Sequence, residues 1–402
     1  MLIQIVALSI LFIVAVILII DLLPIISDWL GRIHIGRYDD LKSWNTAITN
    51  RGIRWLNHTP KAKLTDNTRF VAIDMIRGNY SKRTIQYWQE ASLMLGLLEL
   101  VKYSSDTKAQ EQVKQYLNNH FDSNGQWLKK PTEIDSAILA YSIMKINFVE
   151  SDKYKPAFDH IWELIKLHIG KDGTVGYRKA MNDYRYVDTI GFICPFLIAY
   201  GIKYEKNDCI ELAISQLMMY EKHGMHKEYF IPCHAYKINQ EIPLGLYGWG
   251  RGLGWFAIGL IDSWNELPFS NPHKMTLTQL VEKYAKTIID FQNENGSWNW
   301  TVTRPETRSD SSATATLAWF LINAASVTEL EDVCLERGKK ALNFLKSVTR
   351  RNGDIDFSQG DTKDIGVYSV LFAKLPFTQG FAIRSTQRYK HYSRQNKLKE
   401  IG

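Results

Sequence analysis

Asn293-Glu-Asn-Gly296-Ser-Trp298, followed closely by Asp310-Ser-Ser-Ala-Thr-Ala-Thr-Leu-Ala318, is the stretch from which the fold can be read. Its first part ends an amphipathic helix over residues 277–293. Gly296 supplies the left-handed backbone that commonly closes such a helix. Its second part starts a helix of another kind, built of small residues and apolar nearly all round, which belongs inside a protein.

The same order recurs along the chain. Asp122-Ser-Asn-Gly125-Gln-Trp127, Lys171-Asp-Gly173-Thr-Val-Gly176-Tyr177 and Arg351-Asn-Gly353-Asp-Ile-Asp-Phe357 repeat the glycine loop, and His223-Gly224-Met225 is a looser version. Amphipathic helices precede them over residues 109–119, 158–169, 210–222 and 334–348. Small-rich or apolar segments follow at Ile134-Asp-Ser-Ala-Ile-Leu-Ala, Val187-Asp-Thr-Ile-Gly-Phe and Gly250-Arg-Gly-Leu-Gly-Trp. The glycines lie roughly 50 to 70 residues apart, a spacing that suits a helix–loop–helix unit. No stretch alternates with period two, so strands are minor. With one earlier pair over residues 69–103, this predicts an all-α fold, an (α/α)6 toroid of six helical hairpins. All inner helices then run the same way, and the loops before them form one mouth.

Composition agrees with a folded chain. Hydrophobic residues make up 45% and aromatics 12% of the 402 residues, which excludes disorder. Four cysteines are too few for a disulfide scaffold. The net charge of +7 comes mostly from the end of the chain, where Arg384, Arg388, Lys390, Arg394, Lys397 and Lys399 face only Glu400. A basic terminal tail is not the basic face of a nucleic-acid binder, so no nucleic-acid partner is expected.

Residues 2–20 are apolar except for Gln4 and Ser9. At about 1.5 Å per residue they are long enough to cross a bilayer. No cation precedes them and no small-residue cleavage site follows, so they read as an uncleaved anchor rather than a signal peptide. Arg32, Arg37 and Lys42 come next, which by the positive-inside bias puts the remainder in the cytoplasm. The expected organisation is a single transmembrane anchor (1–31), a juxtamembrane connector (32–66), the toroid (67–385) and a basic tail (386–402).

Residues at the start of inner helices are the site candidates. Asp135, Asp188, Arg251 and the Asp310-Ser311-Ser312 run hold those positions, with His234, Trp249 and Trp255 close in sequence. Carboxyls transfer protons, arginine binds carboxylate, and aromatic rings stack on sugar faces; together they suit a sugar acid. An aspartate before serine or threonine is also an ordinary helix cap, worth about 1 kcal/mol, and Asp310 fits that role best. The glycines of residues 248–255 follow no strand, so they are not a dinucleotide loop. His223, His226, Cys233 and His234 match no zinc spacing. No metal and no cofactor are expected.

Tyr186-Val-Asp188-Thr-Ile-Gly-Phe-Ile-Cys-Pro195-Phe196 resembles the motif around the catalytic aspartate of the unsaturated glucuronyl and rhamnogalacturonyl hydrolases, glycoside hydrolase families 88 and 105. Trp249-Gly-Arg251-Gly-Leu-Gly-Trp255 looks like their arginine segment, and Gly296-Ser-Trp298 with Asp310-Ser-Ser-Ala-Thr-Ala like their late loop and helix. The resemblance spans about residues 68–385. It implies the six-hairpin toroid and vinyl-ether hydration of a 4,5-unsaturated uronic acid. It further implies Asp188 as proton donor, Asp135 as its partner, and His234 and Arg251 as the residues that hold the substrate; Trp249, Trp255, Ser311 and Tyr236 complete the expected substrate-binding set. The family carries an aromatic residue and then an aspartate shortly after the histidine, whereas this chain has His234-Ala-Tyr236-Lys237. The anchor is also a departure, and suits a protein beside exopolysaccharide or capsule assembly. The expected partners are an acidic oligosaccharide or polysaccharide and the membrane. The alternative from the same features is a non-hydrolytic sugar-binding component of such assembly.

Overall fold

A computed structural model describes residues 1–60, 65–78, 86–240 and 242–399; Asn79 of one glycosylation sequon and Glu241, a carboxylate near the expected mouth, lie outside them. The described chain is a closed ring. The inner wall is formed by α4 (Tyr87–Ser104), α6 (Ser136–Met144), α8 (Val187–Lys203), α10 (Gly250–Glu266), α12 (Ser311–Ala324) and α14 (Pro376–Lys399), each packed on the next, with α14 returning to α4. The outer layer is α2 (Leu41–Asn57), α5 (Thr107–His120), α7 (Lys155–Lys166), α9 (Asn207–Gly224), α11 (His273–Asp290) and α13 (Glu331–Ser347). α1 (Leu2–Arg32) and the short α3 (Val71–Ile76) stand outside the ring. The six-hairpin toroid read from the sequence is the observed fold.

The two helix classes differ as burial requires. In α7 the buried side chains are Ala157, Phe158, Ile161, Trp162, Leu164 and Ile165, one stripe against the ring. In α12 all 14 residues are buried, and its Ser, Ala and Thr side chains let neighbours approach closely. Gly125, Gly173, Gly296 and Gly353 have φ between +73° and +89°, the left-handed turn expected after the outer helices. Gly224 differs: it is the last residue of α9 and has no positive φ.

Two stretches take more part in the ring than their polarity suggests. Within the expected connector, α2 buries Trp44, Ile48, Trp55 and Leu56 and is a full outer helix. Asp40 caps it, accepting from the Ser43 N–H at 2.6 Å. Among the basic residues near the end of the chain, Arg384 is buried in α14. It donates to Asp262 at 2.7 Å and lies over the Trp319 ring at 3.8 Å.

Strands are few and short. β1 (Tyr184–Tyr186), β2 (Ala235–Lys237) and β3 (Ile242–Leu244) form an antiparallel sheet in that order, with Tyr186 opposite Ala235. β4 (Ser358–Gln359) pairs with β5 (Phe372–Ala373). Both sheets belong to the loops at the mouth.

The seam between the first and last inner helices is backbone against backbone. A Cβ added at Gly380 would meet the Ser92 carbonyl at 2.1 Å, and one at Gly96 would meet the Gly380 carbonyl at 2.5 Å. Replacing glycine by alanine inside a helix normally stabilises by about 0.5–1 kcal/mol. Gly380→Ala should do the opposite and lower stability by about 3 kcal/mol, because the seam must part. Urea unfolding monitored by circular dichroism reads the sign directly.

Candidate active site

The inner helices of the ring present their first turns at one end, and two of the carboxyls there, Asp135 and Asp188, are not caps. Asp135 precedes α6 in a helical conformation (φ −65°, ψ −12°), so its side chain does not fold back onto the helix. The Ser136 and Ala137 N–H groups are instead satisfied by the carbonyls of Glu133 and Ile134, both at 3.1 Å. Asp188 sits in the first turn of α8, and the Val187 N–H beside it donates to the His234 carbonyl at 3.0 Å. Asp135 Oδ1 and Asp188 Oδ2 are buried with no hydrogen-bond partner. Asp310 is the contrast: it accepts from the Ser312 N–H at 2.9 Å and the Gln359 N–H at 3.0 Å, a capping carboxylate that also ties two loops.

Burial without partners raises a carboxyl's pKa. Desolvation pushes Asp188 up to about 7, against the opposing charge of Arg251. Desolvation, with Glu133 and Asp361 adding repulsion, holds Asp135 well above the usual range. Asp361 is raised by burial as well, again opposed by Arg251. The buried Tyr177 hydroxyl is raised by desolvation and by the charges of Asp135, Asp188 and Asp361, which places it among all three carboxyls.

β1 leads straight into α8 and β2 begins just after His234, so their pairing brings Asp188 to His234. His234 Nε2 lies 3.6 Å from Asp188 Oδ2. Burial and the nearby Arg251 push the imidazole down to about 4, so this is a contact with a neutral ring rather than an ion pair. The Gly366 N–H approaches Nδ1 at 3.5 Å, which leaves Nε2 as the protonated nitrogen facing Asp188. The ring also packs on Trp249 at 4.6 Å and Tyr368 at 5.4 Å.

Arg251 lies in the first turn of α10, with its guanidinium 5.4 Å from Trp249 and 5.9 Å from Trp88. Its terminal nitrogens donate to the carbonyls of Gln359 and Gly360, both at 2.6 Å, and Trp249 Nε1 donates to Gln359 Oε1 at 2.9 Å. Arg251 therefore braces the loop between β4 and β5 as well as facing the carboxyls. Trp255 is buried in an aromatic cluster with Trp88, Phe192 and Phe377. Ser311 is buried, with its Oγ unpartnered and its N–H on the Phe357 carbonyl at 3.1 Å. Tyr236 points elsewhere: its ring packs on Tyr220 and His223, toward the outer layer.

Sequence reasoning passed over Asp361, Tyr368, Trp88 and Arg178. Asp361 and Tyr368 follow the Gly353 loop and precede the last inner helix, so the rule that such loops form the mouth could have found them. Arg178, exposed at the rim over the Tyr177 ring, draws the pKa values of Asp188 and Asp361 down. Among the described residues no three His, Cys, Asp or Glu side chains converge as metal ligands. Cys233 is buried with its thiol on the Ala235 carbonyl, and His226 stands against Tyr229 and Tyr247.

A ring of paired helices with such a mouth is the architecture of a six-hairpin glycosidase. The sequence model of Glycosyl Hydrolase Family 88 matches residues 55–372, and the chain belongs to that family. An unsaturated 3S-rhamnoglycuronyl hydrolase of Alteromonas sp. (strain LOR) is 30% identical over 107 residues, so the chain spans only a quarter of the curated relative it matches (25% of each chain). A family 105 glycoside hydrolase of C. acetobutylicum ATCC 824 superposes with a TM-score of 0.69 at 15% identity, over 80% of this chain and 98% of that one. The unsaturated glucuronyl hydrolase of Bacillus sp. GL1, described as responsible for glycosaminoglycan degradation, does so with a TM-score of 0.62 at 14% identity, over 85% and 94%. At these identities the two solved structures speak for the fold.

A carboxyl whose folded pKa is raised stabilises the fold most below its ordinary pKa of 3.8. That contribution is lost as pH rises through the folded value of about 7. Asp188→Asn removes the ionisation. Its melting temperature should exceed that of the parent at pH 8, and the gain should shrink toward zero at pH 4. Differential scanning fluorimetry across that range checks the sign.

Proposed function

We infer that this protein hydrates a 4,5-unsaturated uronic acid at the end of an acidic oligosaccharide and thereby releases the neighbouring sugar. The observation that carries this reading is Asp188: a buried carboxyl raised to about 7, with an unpartnered oxygen, beside a neutral histidine and an arginine. Asp188 gives its proton to C4 of the vinyl ether. Water adds at C5 and returns a proton to the carboxylate, so C4 has gained hydrogen and C5 hydroxyl. The hemiketal opens and the glycosidic bond breaks. Asp135 is the partner carboxyl at the mouth, His234 and Arg251 hold the sugar acid, and Trp249 with Tyr368 offers an aromatic wall.

The reading extends to the membrane. α1 is 31 residues long with none buried, and in length and composition it is able to cross a bilayer. It serves as a single-pass anchor, with the ring on the cytoplasmic side by the cations that follow it.

Turnover is read as loss of the ultraviolet absorbance of unsaturated uronyl disaccharides. Asp188→Asn should reduce it by about 10²–10⁴-fold while the fold is retained. Since the proton must be present on Asp188, kcat/KM should fall tenfold per pH unit above about 7. Binding of acidic disaccharides without turnover, across a panel of linkages, would reject hydrolysis in favour of a sugar-binding component. Alkaline extraction of membranes should leave the full chain in the lipid fraction.

A further inference from the structure

α1 does more than lead into the ring. Asp21, Asp28 and Arg32 are spaced seven and four residues apart, so they lie on one face of the helix. Every one of them is tied to the domain. Asp21 accepts from the Phe70 and Val71 N–H groups at 2.7 and 2.8 Å, Asp28 from Arg350 at 2.8 Å, and Arg32 donates to Asp356 at 2.8 Å and to the Phe372 carbonyl at 3.2 Å. Arg350 also donates to Asp356 at 2.8 Å. Asp356 is buried, and although desolvation opposes its charge, the two arginines hold its pKa below the usual range.

The other face of the same turns is apolar and open, with Ile26, Trp29 and Leu30 exposed and Trp29 66% so. α3 continues it. Val71 and Asp74 of α3 are buried, whereas Ile73, Met75 and Ile76 are exposed, Ile76 at 87%. Exposed apolar side chains in such a continuous group mark an interaction surface.

This surface adjoins the mouth. Asp356 and Phe372 bracket the loop that carries Gln359, Gly360, Asp361, Gly366 and Tyr368 to the site. Asp66, four residues before Phe70, accepts from Ser369 Oγ at 2.6 Å in the same loop. Val370 beside it is 76% exposed.

We propose that the apolar face of the last turns of α1, together with α3, lies in the lipid interface and holds the mouth of the ring at the membrane surface, so that the site takes glycan chains held at the membrane. The occupant is lipid, because the platform is continuous with the exposed apolar length of α1 and separated from it by no polar break on that face. Amphipathic segments of this kind settle about 5–10 Å into the headgroup boundary. The proposal rests on α1 being a membrane helix, and the experiment separates the two.

All four native cysteines are buried, so single exposed cysteines can be labelled in the full chain. Ile76→Cys reports on the platform and Val370→Cys on the mouth. Phe269→Cys, 88% exposed just beyond the other end of α10, is the control. The proteins are reconstituted in phosphatidylcholine–phosphatidylglycerol vesicles and carry an environment-sensitive fluorophore. A lipid with a shallow nitroxide should quench the labels at 76 and 370 by about twofold or more and leave 269 unchanged. Co-flotation with vesicles while 76 or 370 behaves like 269 overturns the platform and leaves the anchor standing. Failure to co-float overturns the anchor and the proposal with it.

Discussion

The ring depends on one close contact, the crossing of α4 and α14 at Gly96 and Gly380. Six inner helices with all-round burial can close only if the last returns to the first at backbone distance. Closure is what makes their first turns share a single mouth. The buried Arg384–Asp262 pair ties the same closing helix to α10, and Trp319 of α12 also donates to Asp262 at 2.9 Å. Breaking such a pair leaves an uncompensated charge and typically costs about 3–5 kcal/mol, so register along α14 is fixed as well as contact.

From closure follows the electrostatics of the mouth. Helix N-termini ordinarily recruit carboxylates as caps and keep them ionised. Here backbone turns satisfy the first N–H groups of α6, which frees Asp135. Asp310 shows the ordinary arrangement at α12, with both oxygens in hydrogen bonds. The starts of α6 and α12 thus carry the same residue in two arrangements, one with an unpartnered oxygen and one fully hydrogen-bonded. The difference lies in whether the carboxyl is spent on its own helix.

Much of this was legible in the sequence, for reasons that can be named. Outer and inner helices differ in the width of their apolar face, and the glycine loops mark where one gives way to the other. The mouth rule then led to Asp135, Asp188 and Arg251. What escaped depends on tertiary partners. α2 reads as polar because only one stripe of it is apolar, with Trp44 and Trp55 among charged neighbours. Arg384 reads as surface because nothing local announces Asp262. Asp361 and Tyr368 sit in a loop without periodicity. Tyr236, expected among the substrate-binding residues, is turned to Tyr220 by packing that no local pattern records.

For the proposed substrate, the raised pKa values have a second consequence besides proton donation. A uronic acid is an anion, and three ionised carboxylates around it would repel it. Desolvation keeps Asp135, Asp188 and Asp361 toward their neutral forms, while Arg251 remains as the facing cation. The burial that prepares Asp188 to give a proton is therefore the same burial that lets an acidic sugar approach it. Bulk solvent filling the mouth, as opposed to the single water that adds at C5, would undo both effects together. That gives the loop from Asp356 to Phe372 its importance: it carries the Arg251 brace, Asp361 and the Tyr368 wall, and α1 is clamped to its two ends.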